Sequence, residues 1–212
     1  PGIERRSIFH ALNAKAVAKR VCAQMGRDYE NSRLIVAHMG GGITVGAHFY
    51  GRVVDVNDAL MGEGPFTPER SGAVPLIPLI DMCYSGQYTH QEMVDLVTNG
   101  SGMQALLGTN DLRKCERMIK NGDSFAALVL EAMAYQVSKQ IGAMVAVLSG
   151  RVDAIILTGG LAHSNRFTGF IKQNVDLIAP IHVVPGENEL LAMAQGALAV
   201  LQGRQPLMQY EE

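Results

Sequence analysis

Two groups of consecutive glycines follow apolar stretches of this sequence, and a histidine stands beside the first. That group is residues 40–42 in HMGGGITVGAH, where His38 comes two positions earlier. The second group is residues 159–160, at the end of AIILTGG. Glycine is entropically costly in a fold, so such runs indicate a turn that needs positive φ or a close approach to the backbone. Bare backbone N–H groups at the first group can bind phosphate oxygens, and backbone without side chains at the end of a strand lets a flat base or ribose approach the second. Both groups are therefore candidate nucleotide contacts.

Three side chains have the chemistry to act on a phosphoryl group. Arg70 lies in the Gly/Pro-rich stretch TPERSG, and its guanidinium can hold two oxygens of a phosphoryl group at once. His10 precedes a predicted helix, where it could donate to a phosphate oxygen or serve only as a cap or core residue. His38 ends a predicted strand and faces the glycines, so we expect its ring to reach the phosphate. A solvated loop arginine and a packed strand histidine are the alternatives.

Acidic residues stand near the last predicted helix and near the start of the long loop. Glu187 and Glu189 stand at the start of that helix, where the helix dipole alone favours acids. Asp55 and Asp58 could support the site, although such residues more often form turns. We assign no role to the remaining strand and helix histidines, which are His48, His90 and His182.

Two familiar nucleotide motifs are excluded by the residues after the first glycines. A dinucleotide fingerprint opens a helix, whereas residues 43–49 read ITVGAHF, which is β-branched and alternating. The sequence has no GK[ST] after the glycines either, so this is not a P-loop. What remains is a hairpin between two strands that binds phosphate, or a tight hairpin with no ligand.

The surrounding pattern predicts the elements that position these residues. We predict a helix over 11–26, then three neighbouring strands (33–39, 43–49 and 52–56) with tight turns, and a long loop to residue 75. Short helices and turns follow, and then a helix over 123–150 that is apolar nearly all round and therefore predicted to be buried. Strand, helix, strand and helix complete the chain, which indicates an α/β fold of meander and parallel strands with helices on both faces.

Composition excludes several functional classes. The 212 residues are 48% hydrophobic and 18% charged, as in a globular protein of one large or two small domains. A formal net charge of −2 gives no basic surface for nucleic acid, and no apolar run reaches the roughly 18 residues of a membrane span. Three dispersed cysteines give neither a zinc motif nor a disulfide framework. We expect a cytoplasmic protein.

Six stretches together resemble the acetate kinase family of the actin-like (ribonuclease H-like) ATPase superfamily. HMGGGITVGAH is similar to its phosphate hairpin, ILTGGLAHS to its adenosine loop and VPGENELLAMAQGALA to its closing helix. SIFHALN resembles its Phe-His segment, PERSGAVP its Thr-Arg-Ser-Gly loop, and VTNGSGMQALLGTNDLRK its Ser-Gly segment. The PERSG and PGENEL forms look like butyrate kinase in particular.

The resemblance implies a fold, a reaction and a set of site residues. It implies an actin-like domain and transfer of the ATP γ-phosphate to butyrate or a similar short-chain acid, giving acyl phosphate and ADP, with Mg²⁺. The implied homo-oligomer would bind neither nucleic acid nor membrane. The implied catalytic residues are Arg70, His10 and His38, and the implied nucleotide contacts are Gly40, Gly41, Gly42, Gly159 and Gly160. The family places a Mg²⁺-linked glutamate at the start of the closing helix, and either Glu189 or Glu187 could be this residue. Of the two we favour Glu189, and Mg²⁺ often touches only one carboxylate plus phosphates.

The sequence also departs from the acetate kinase pattern. Gly41 replaces the family's hairpin asparagine, Ala11 replaces the glycine after Phe-His, and His163 stands near the usual loop acid. We expect residues 1–212 to be the C-terminal ATP-binding domain of a two-domain kinase, incomplete for turnover by itself. A kinase for another small substrate, or a non-catalytic nucleotide-binding or dimerising fragment, remains the alternative.

Overall fold

The described chain forms one mixed sheet with helices on both faces. A computed structural model describes residues 8–187 and 189–204, with the single positions Gly2 and Leu207. The strands are Arg33–Met39 (β1), Ile43–Phe49 (β2), Arg52–Val56 (β3), Ala154–Gly159 (β4) and Ile181–Pro185 (β5). The α-helices are Ala11–Gln24 (α1), Leu76–Tyr84 (α2), His90–Thr98 (α3), Gly102–Leu107 (α4), Leu112–Lys120 (α5), Ser124–Val147 (α6), Asn165–Val175 (α7) and Glu189–Leu201 (α8), with 3₁₀ turns at Tyr29–Asn31 and Gly160–His163.

The strand order is β3-β2-β1-β4-β5. β1, β2 and β3 are antiparallel neighbours, as the predicted meander requires, whereas β4 and β5 run parallel to β1. His38 of β1 lies opposite Thr44 on one side and Thr158 on the other. Directly paired residues share a face of a sheet, so these three side chains project to the same side. The predicted α/β class and strand pattern are confirmed.

The two faces of the sheet carry separate apolar cores. Alternate β1 residues, Ile35 and Met39 among them, pack with α6 on one face. Leu34 and Val36 point the other way and pack against α1, on Val17 and its neighbours. The central strands are therefore covered on both faces, which is why β2 is buried along nearly its whole length rather than at alternate positions.

Local sequence explains where the central helix begins. Asp123 is the N-cap of α6, and its side chain accepts a hydrogen bond from the Ala126 N–H at 2.9 Å. The expectation that this helix is buried on all sides is wrong. Leu128 and Tyr135 are 60% and 57% exposed, whereas Leu130 and Met133 are fully buried. One face of α6 covers the sheet and the other lies at the surface of the described structure.

The closing helix and the first helix after the long loop are formed but not buried. No residue of α2 or α8 is buried, although both are rich in leucine and isoleucine. The loop predicted up to residue 75 is confirmed, since α2 begins at Leu76. No helix in the described ranges is both long and apolar enough to cross a bilayer.

Candidate active site

The glycine hairpin between β1 and β2 makes room for neighbouring side chains. None of residues 40–42 has φ in the left-handed region, so the triplet is not required by backbone conformation. A Cβ at Gly42 would overlap the guanidinium of Arg70, and one at Gly40 would lie 3.2 Å from Glu187 Oε1. At Gly41 the nearest atom is Glu69 Oε2, at 3.7 Å. The close-approach explanation therefore holds at Gly40 and Gly42, while Gly41 leaves open space.

The loop that carries Arg70 is attached to the hairpin by Thr67. The Thr67 hydroxyl donates to the Gly41 carbonyl at 2.7 Å and accepts from the Arg70 N–H at 2.9 Å. From the other side, the backbone N–H of Met103 donates to the Thr67 carbonyl at 3.1 Å. Gly102, with φ +61°, allows this contact because a Cβ there would overlap that carbonyl. The Ser-Gly segment thus supports the arginine loop.

Arg70 is partly buried and points along the hairpin. Its Nη1 donates to the Ala59 carbonyl at 2.9 Å. Its Nε is buried and has no hydrogen-bond partner among the described residues. A buried guanidinium N–H without a partner is costly, and such groups in proteins usually bind water or a ligand. The solvated-loop alternative for Arg70 does not fit this placement.

His10 and His38 are stacked beside the hairpin. Their ring centroids are 3.7 Å apart and the ring planes are within 5° of parallel. His10 precedes α1 without capping it through its side chain, and its Nδ1 lies 3.1 Å from Thr44 Oγ1 instead. Burial is the main cause that lowers the pKa of His10, while Glu187 and Glu189 oppose the change and Arg70 adds to it.

His38 is completely buried, and both of its ring nitrogens are engaged. Nδ1 lies 2.9 Å from Asn13 Nδ2, and Nε2 lies 3.0 Å from Glu187 Oε1. Burial, and secondarily the nearby His10, lowers the pKa of His38 to about 3, so the ring is neutral near pH 7. The contact with Glu187 is therefore a hydrogen bond to a carboxylate rather than an ion pair. In the described structure the ring reaches Glu187, and its expected contact with the phosphate stays a prediction.

The second glycine pair forms a turn against the end of β1. Gly159 has φ +89°, and a Cβ there would overlap the backbone of Met39. Its backbone exchanges hydrogen bonds with Gly186, at 3.0 and 3.3 Å. Gly160 has no atom within 4 Å of its Cβ position. Gly159 thus joins the turn to the hairpin strand, and Gly160 leaves open space.

The two candidate carboxylates take different places. Glu187 contacts His38 and stands beside Gly40, with 44% of its side chain exposed. Glu189 begins α8 and acts on His10 only through its charge. Within the described ranges no three His, Cys, Asp or Glu residues cluster as a metal site. A Mg²⁺ ion held by one carboxylate, phosphates and water fits this arrangement.

The other candidate side chains lie outside this cluster. Asp55 is in β3 rather than in a turn. Asp58 is a turn former as expected, since its Oδ1 accepts from the N–H groups of Leu60 and Met61. His48 is buried and contacts the Tyr29 hydroxyl at 2.8 Å. A cavity of ≈ 530 Å³ lies between the loop after β3 and α6, lined by none of the candidate catalytic residues.

Several polar residues of the site were missed by sequence reasoning. Asn13, Thr44 and Thr158 are buried and contact the two histidines or each other. Asn13 stands three residues after His10, so helical spacing could have placed both on one face of α1. The two threonines carried no signal, because only strand register brings them beside His38.

Comparison with known proteins identifies relatives of this chain. A model of the family described as the acetokinase family matches residues 2–175. The crystal structure of Porphyromonas gingivalis acetate kinase is similar with 25% identity and a TM-score of 0.84, over 91% of this chain and 55% of that one. A propionate kinase from Francisella tularensis subsp. tularensis SCHU S4 has 23% identity and a TM-score of 0.78, over 89% and 54%.

The fold extends to sugar kinases. A ROK hexokinase from Thermus thermophilus matches with 16% identity and a TM-score of 0.51, over 89% of this chain and 66% of that one. These likenesses confirm the predicted actin-like α/β fold. The chain spans about half the length of the acetate and propionate kinases that it matches.

Proposed function

Because this chain belongs to the acetokinase family, we propose that it is the nucleotide-binding part of a kinase that transfers the γ-phosphate of ATP to a short-chain carboxylate. A carboxylate oxygen attacks the γ-phosphorus, the bond to the bridging oxygen of ADP breaks, and an acyl phosphate forms without net proton transfer. The observation that carries the proposal is the partly buried Arg70, whose guanidinium rests on Gly42 of the hairpin with Nε unpaired among the described residues.

The two glycine groups contact different parts of the nucleotide. The hairpin at residues 40–42 binds the β- and γ-phosphates, and Gly41 gives the bare backbone that phosphate oxygens can approach. The turn at Gly159 and Gly160 accommodates the adenosine. Ligands of α/β sheets bind at the carboxyl ends of parallel strands, which is where this turn follows β4.

Arg70 and His10 act on the transferring group. The planar guanidinium holds two phosphoryl oxygens and offsets the charge that spreads over them in the transition state. We assign the Thr44 hydroxyl as the donor to Nδ1 of His10, so that the neutral ring carries its proton on Nε2, which donates to a third oxygen. Positioning and charge stabilisation account for the catalysis, since phosphoryl transfer requires little covalent work from the protein.

Glu187 is the residue that would hold Mg²⁺, and Glu189 is the second candidate. The structure reverses the preference for Glu189 drawn from the sequence, because the Glu187 carboxylate stands beside the hairpin and is partly exposed. When bound, Mg²⁺ neutralises phosphate charge. His38 positions the Glu187 carboxylate from beneath the hairpin.

The acyl substrate is proposed to be butyrate or isobutyrate. The support is the PERSG and PGENEL forms of the sequence, which resemble the butyrate branch of the family. We propose further that the enzyme is a homo-oligomer, since α2 and α8 present exposed apolar side chains such as Leu76 and Leu190.

A substrate panel tests the proposed function. ADP release by the gene product is measured with MgATP and butyrate, isobutyrate, propionate, acetate or glucose, each against a blank. We expect butyrate or isobutyrate to give the highest kcat/KM. A preference for glucose would indicate another actin-like kinase, and nucleotide binding without turnover on any acid would indicate a non-catalytic protein. Either outcome overturns the proposal.

A further inference from the structure

We propose that Asn13 is a positioning residue that fixes the Glu187 carboxylate through two hydrogen-bonded arms; the proposal rests on the function proposed for Glu187. Asn13 lies in the first turn of α1 and is only 4% exposed. Its side-chain amide contacts one residue of β1, His38, and one residue of β4, Thr158. The amide therefore links the two parallel strands at the centre of the sheet.

The first arm passes through the ring of His38. Asn13 Nδ2 lies 2.9 Å from His38 Nδ1, and an amide nitrogen can only donate, so Nδ1 must be the acceptor. A neutral imidazole that accepts at Nδ1 carries its proton on Nε2. That N–H points to Glu187 Oε1, 3.0 Å away. Asn13 thus selects the tautomer that can donate to the carboxylate.

The second arm passes through Thr158 to the backbone beside Glu187. The same amide nitrogen donates to Thr158 Oγ1 at 3.3 Å. The Thr158 hydroxyl then donates its own proton to the Gly186 carbonyl, also at 3.3 Å. Gly186 has φ +88° and directly precedes Glu187. This arm therefore fixes the peptide from which the Glu187 side chain departs.

Both arms run in one direction, from Asn13 outward. Every polar atom along them has a consistent role as donor or acceptor; the first arm ends on the Glu187 carboxylate and the second on the carbonyl of the Gly186–Glu187 peptide. A carboxylate in place of the amide would reverse them, because it accepts from His38 Nδ1–H and from the Thr158 hydroxyl. His38 would then present a lone pair to Glu187, and the Gly186 carbonyl would lose its donor.

The test compares Asn13→Asp with Asn57→Asp in the intact protein. Asn57 is a matched control, since it is 2% exposed and hydrogen-bonds the backbone of β2 at Val45 and Ile43, away from His38. Ring-¹⁵N histidine NMR reports which nitrogen of His38 carries the proton, with the signal assigned by His38→Gln. We expect the Nε2–H form in the wild type and in Asn57→Asp, and loss of that form in Asn13→Asp.

Binding gives the second readout. Calorimetry should show the Kd for MgADP raised about tenfold or more in Asn13→Asp relative to Asn57→Asp, the usual scale for residues that orient a metal ligand. An Nδ1–H tautomer in the wild type, which needs no folded variant to detect, overturns the proposal. An unchanged MgADP affinity in a folded Asn13→Asp protein also overturns it. Failure of the proposed function would appear separately, as MgADP binding without carboxylate-dependent ADP release.

Discussion

At Gly42 the space of a missing side chain is filled by the guanidinium of Arg70, and at Gly40 it faces the carboxylate of Glu187. The glycine triplet thus brings an arginine and an acid against a hairpin whose middle residue stays open. Since none of the three glycines needs positive φ, the reason for the triplet is space rather than backbone freedom. This separates the positions that organise side chains from Gly41, which leaves open space and is the position proposed for phosphate.

Replacing Arg70 tests its role on the transferring group. We expect Arg70→Ala to lower kcat about a hundredfold or more, the scale of one lost transition-state donor, with a much smaller change in ATP affinity. Arg70→Lys should rescue poorly, because an ammonium cannot reproduce the planar fork. Steady-state kinetics beside Arg113→Ala, an exposed arginine paired with Asp111, supplies the control. Turnover of Arg70→Ala near that of Arg113→Ala would remove Arg70 from the mechanism.

Two variants of the glycine hairpin should impair different properties, one kcat and the other ATP affinity. Gly42→Ala places a methyl on the Arg70 guanidinium, so we expect kcat to fall while the Kd for ATP changes little. At Gly41 a Cβ would meet only Glu69 Oε2, at 3.7 Å, so we expect Gly41→Val to fold normally and to bind ATP more weakly. Kinetics and calorimetry on both variants separate the two effects. If Gly41→Val binds ATP normally, the hairpin is a turn and not a phosphate site.

His48 predicts an acid-dependent loss of stability. Burial, and secondarily Lys15, lowers its pKa to about 4, against 6.5 when unfolded. Between these values the unfolded state binds the extra proton, so stability falls as pH drops from 6.5 to 4, by up to about 1.4 kcal/mol per pH unit. The side chain of His48→Gln can still bond the Tyr29 hydroxyl. We expect this variant to show a less steep dependence of the urea-derived free energy of unfolding on pH over this range. An equally steep slope in the wild type and in His48→Gln would rule out this role for His48.

At the residue scale, sequence could predict the glycines and Arg70 but not the side chains that hold them. Arg70 and the glycines carry a local signal in their neighbours. Asn13 and Thr158 meet across 145 positions of sequence, and only strand pairing brings them together. His38 shows the same limit, since its position beside the hairpin was correct while its burial beneath Glu187 was not visible from the strand alone.

Among the elements, the turn after β4 has two glycines, of which we expect Gly159 to matter for stability and Gly160 for ligand binding. Gly159→Ala requires an L residue at φ +89° and places Cβ on the Met39 backbone, so we expect a loss of about 2 to 4 kcal/mol in unfolding free energy. Gly160→Ala has open space and should change stability by less than about 0.5 kcal/mol. If Gly160 faces adenosine as proposed, that variant should bind ATP more weakly. Denaturant unfolding and calorimetry check both, and equal stability of the two variants would contradict this assignment.

Element boundaries were largely predictable, whereas element burial was not. β-branched alternation and glycine punctuation located all three meander strands, and the Asp123 cap located the start of α6. The apolar composition of α6 suggested burial, yet Leu128 and Tyr135 on one of its faces are exposed, and no residue of α8 is buried although that helix contacts α1. The hydrophobic content of a helix indicates that one of its faces contacts another apolar surface, but it does not show which part of this chain or which other chain supplies that surface.

For the complete enzyme, the proposed chemistry is attack by a carboxylate oxygen on the γ-phosphorus of ATP. The fold alone does not distinguish this from sugar phosphorylation, since the chain also matches a ROK hexokinase. The two reactions differ in the oxygen that finally bridges carbon and phosphorus, which is a carboxylate oxygen in an acyl phosphate and a hydroxyl oxygen in a sugar phosphate. That atom can be followed with an isotope.

Butyrate labelled with ¹⁸O in both carboxylate positions makes this atom visible. The gene product is turned over with MgATP, the acyl phosphate is trapped with hydroxylamine, and the released inorganic phosphate is analysed by mass spectrometry. Hydroxylamine attacks the carbonyl carbon, so the former carboxylate oxygen leaves with the phosphate. We expect one ¹⁸O in each phosphate formed by butyrate-dependent turnover, with an equal amount of butyryl hydroxamate. Phosphate free of ¹⁸O, or ADP formed without hydroxamate, would show that the carboxylate is not the nucleophile.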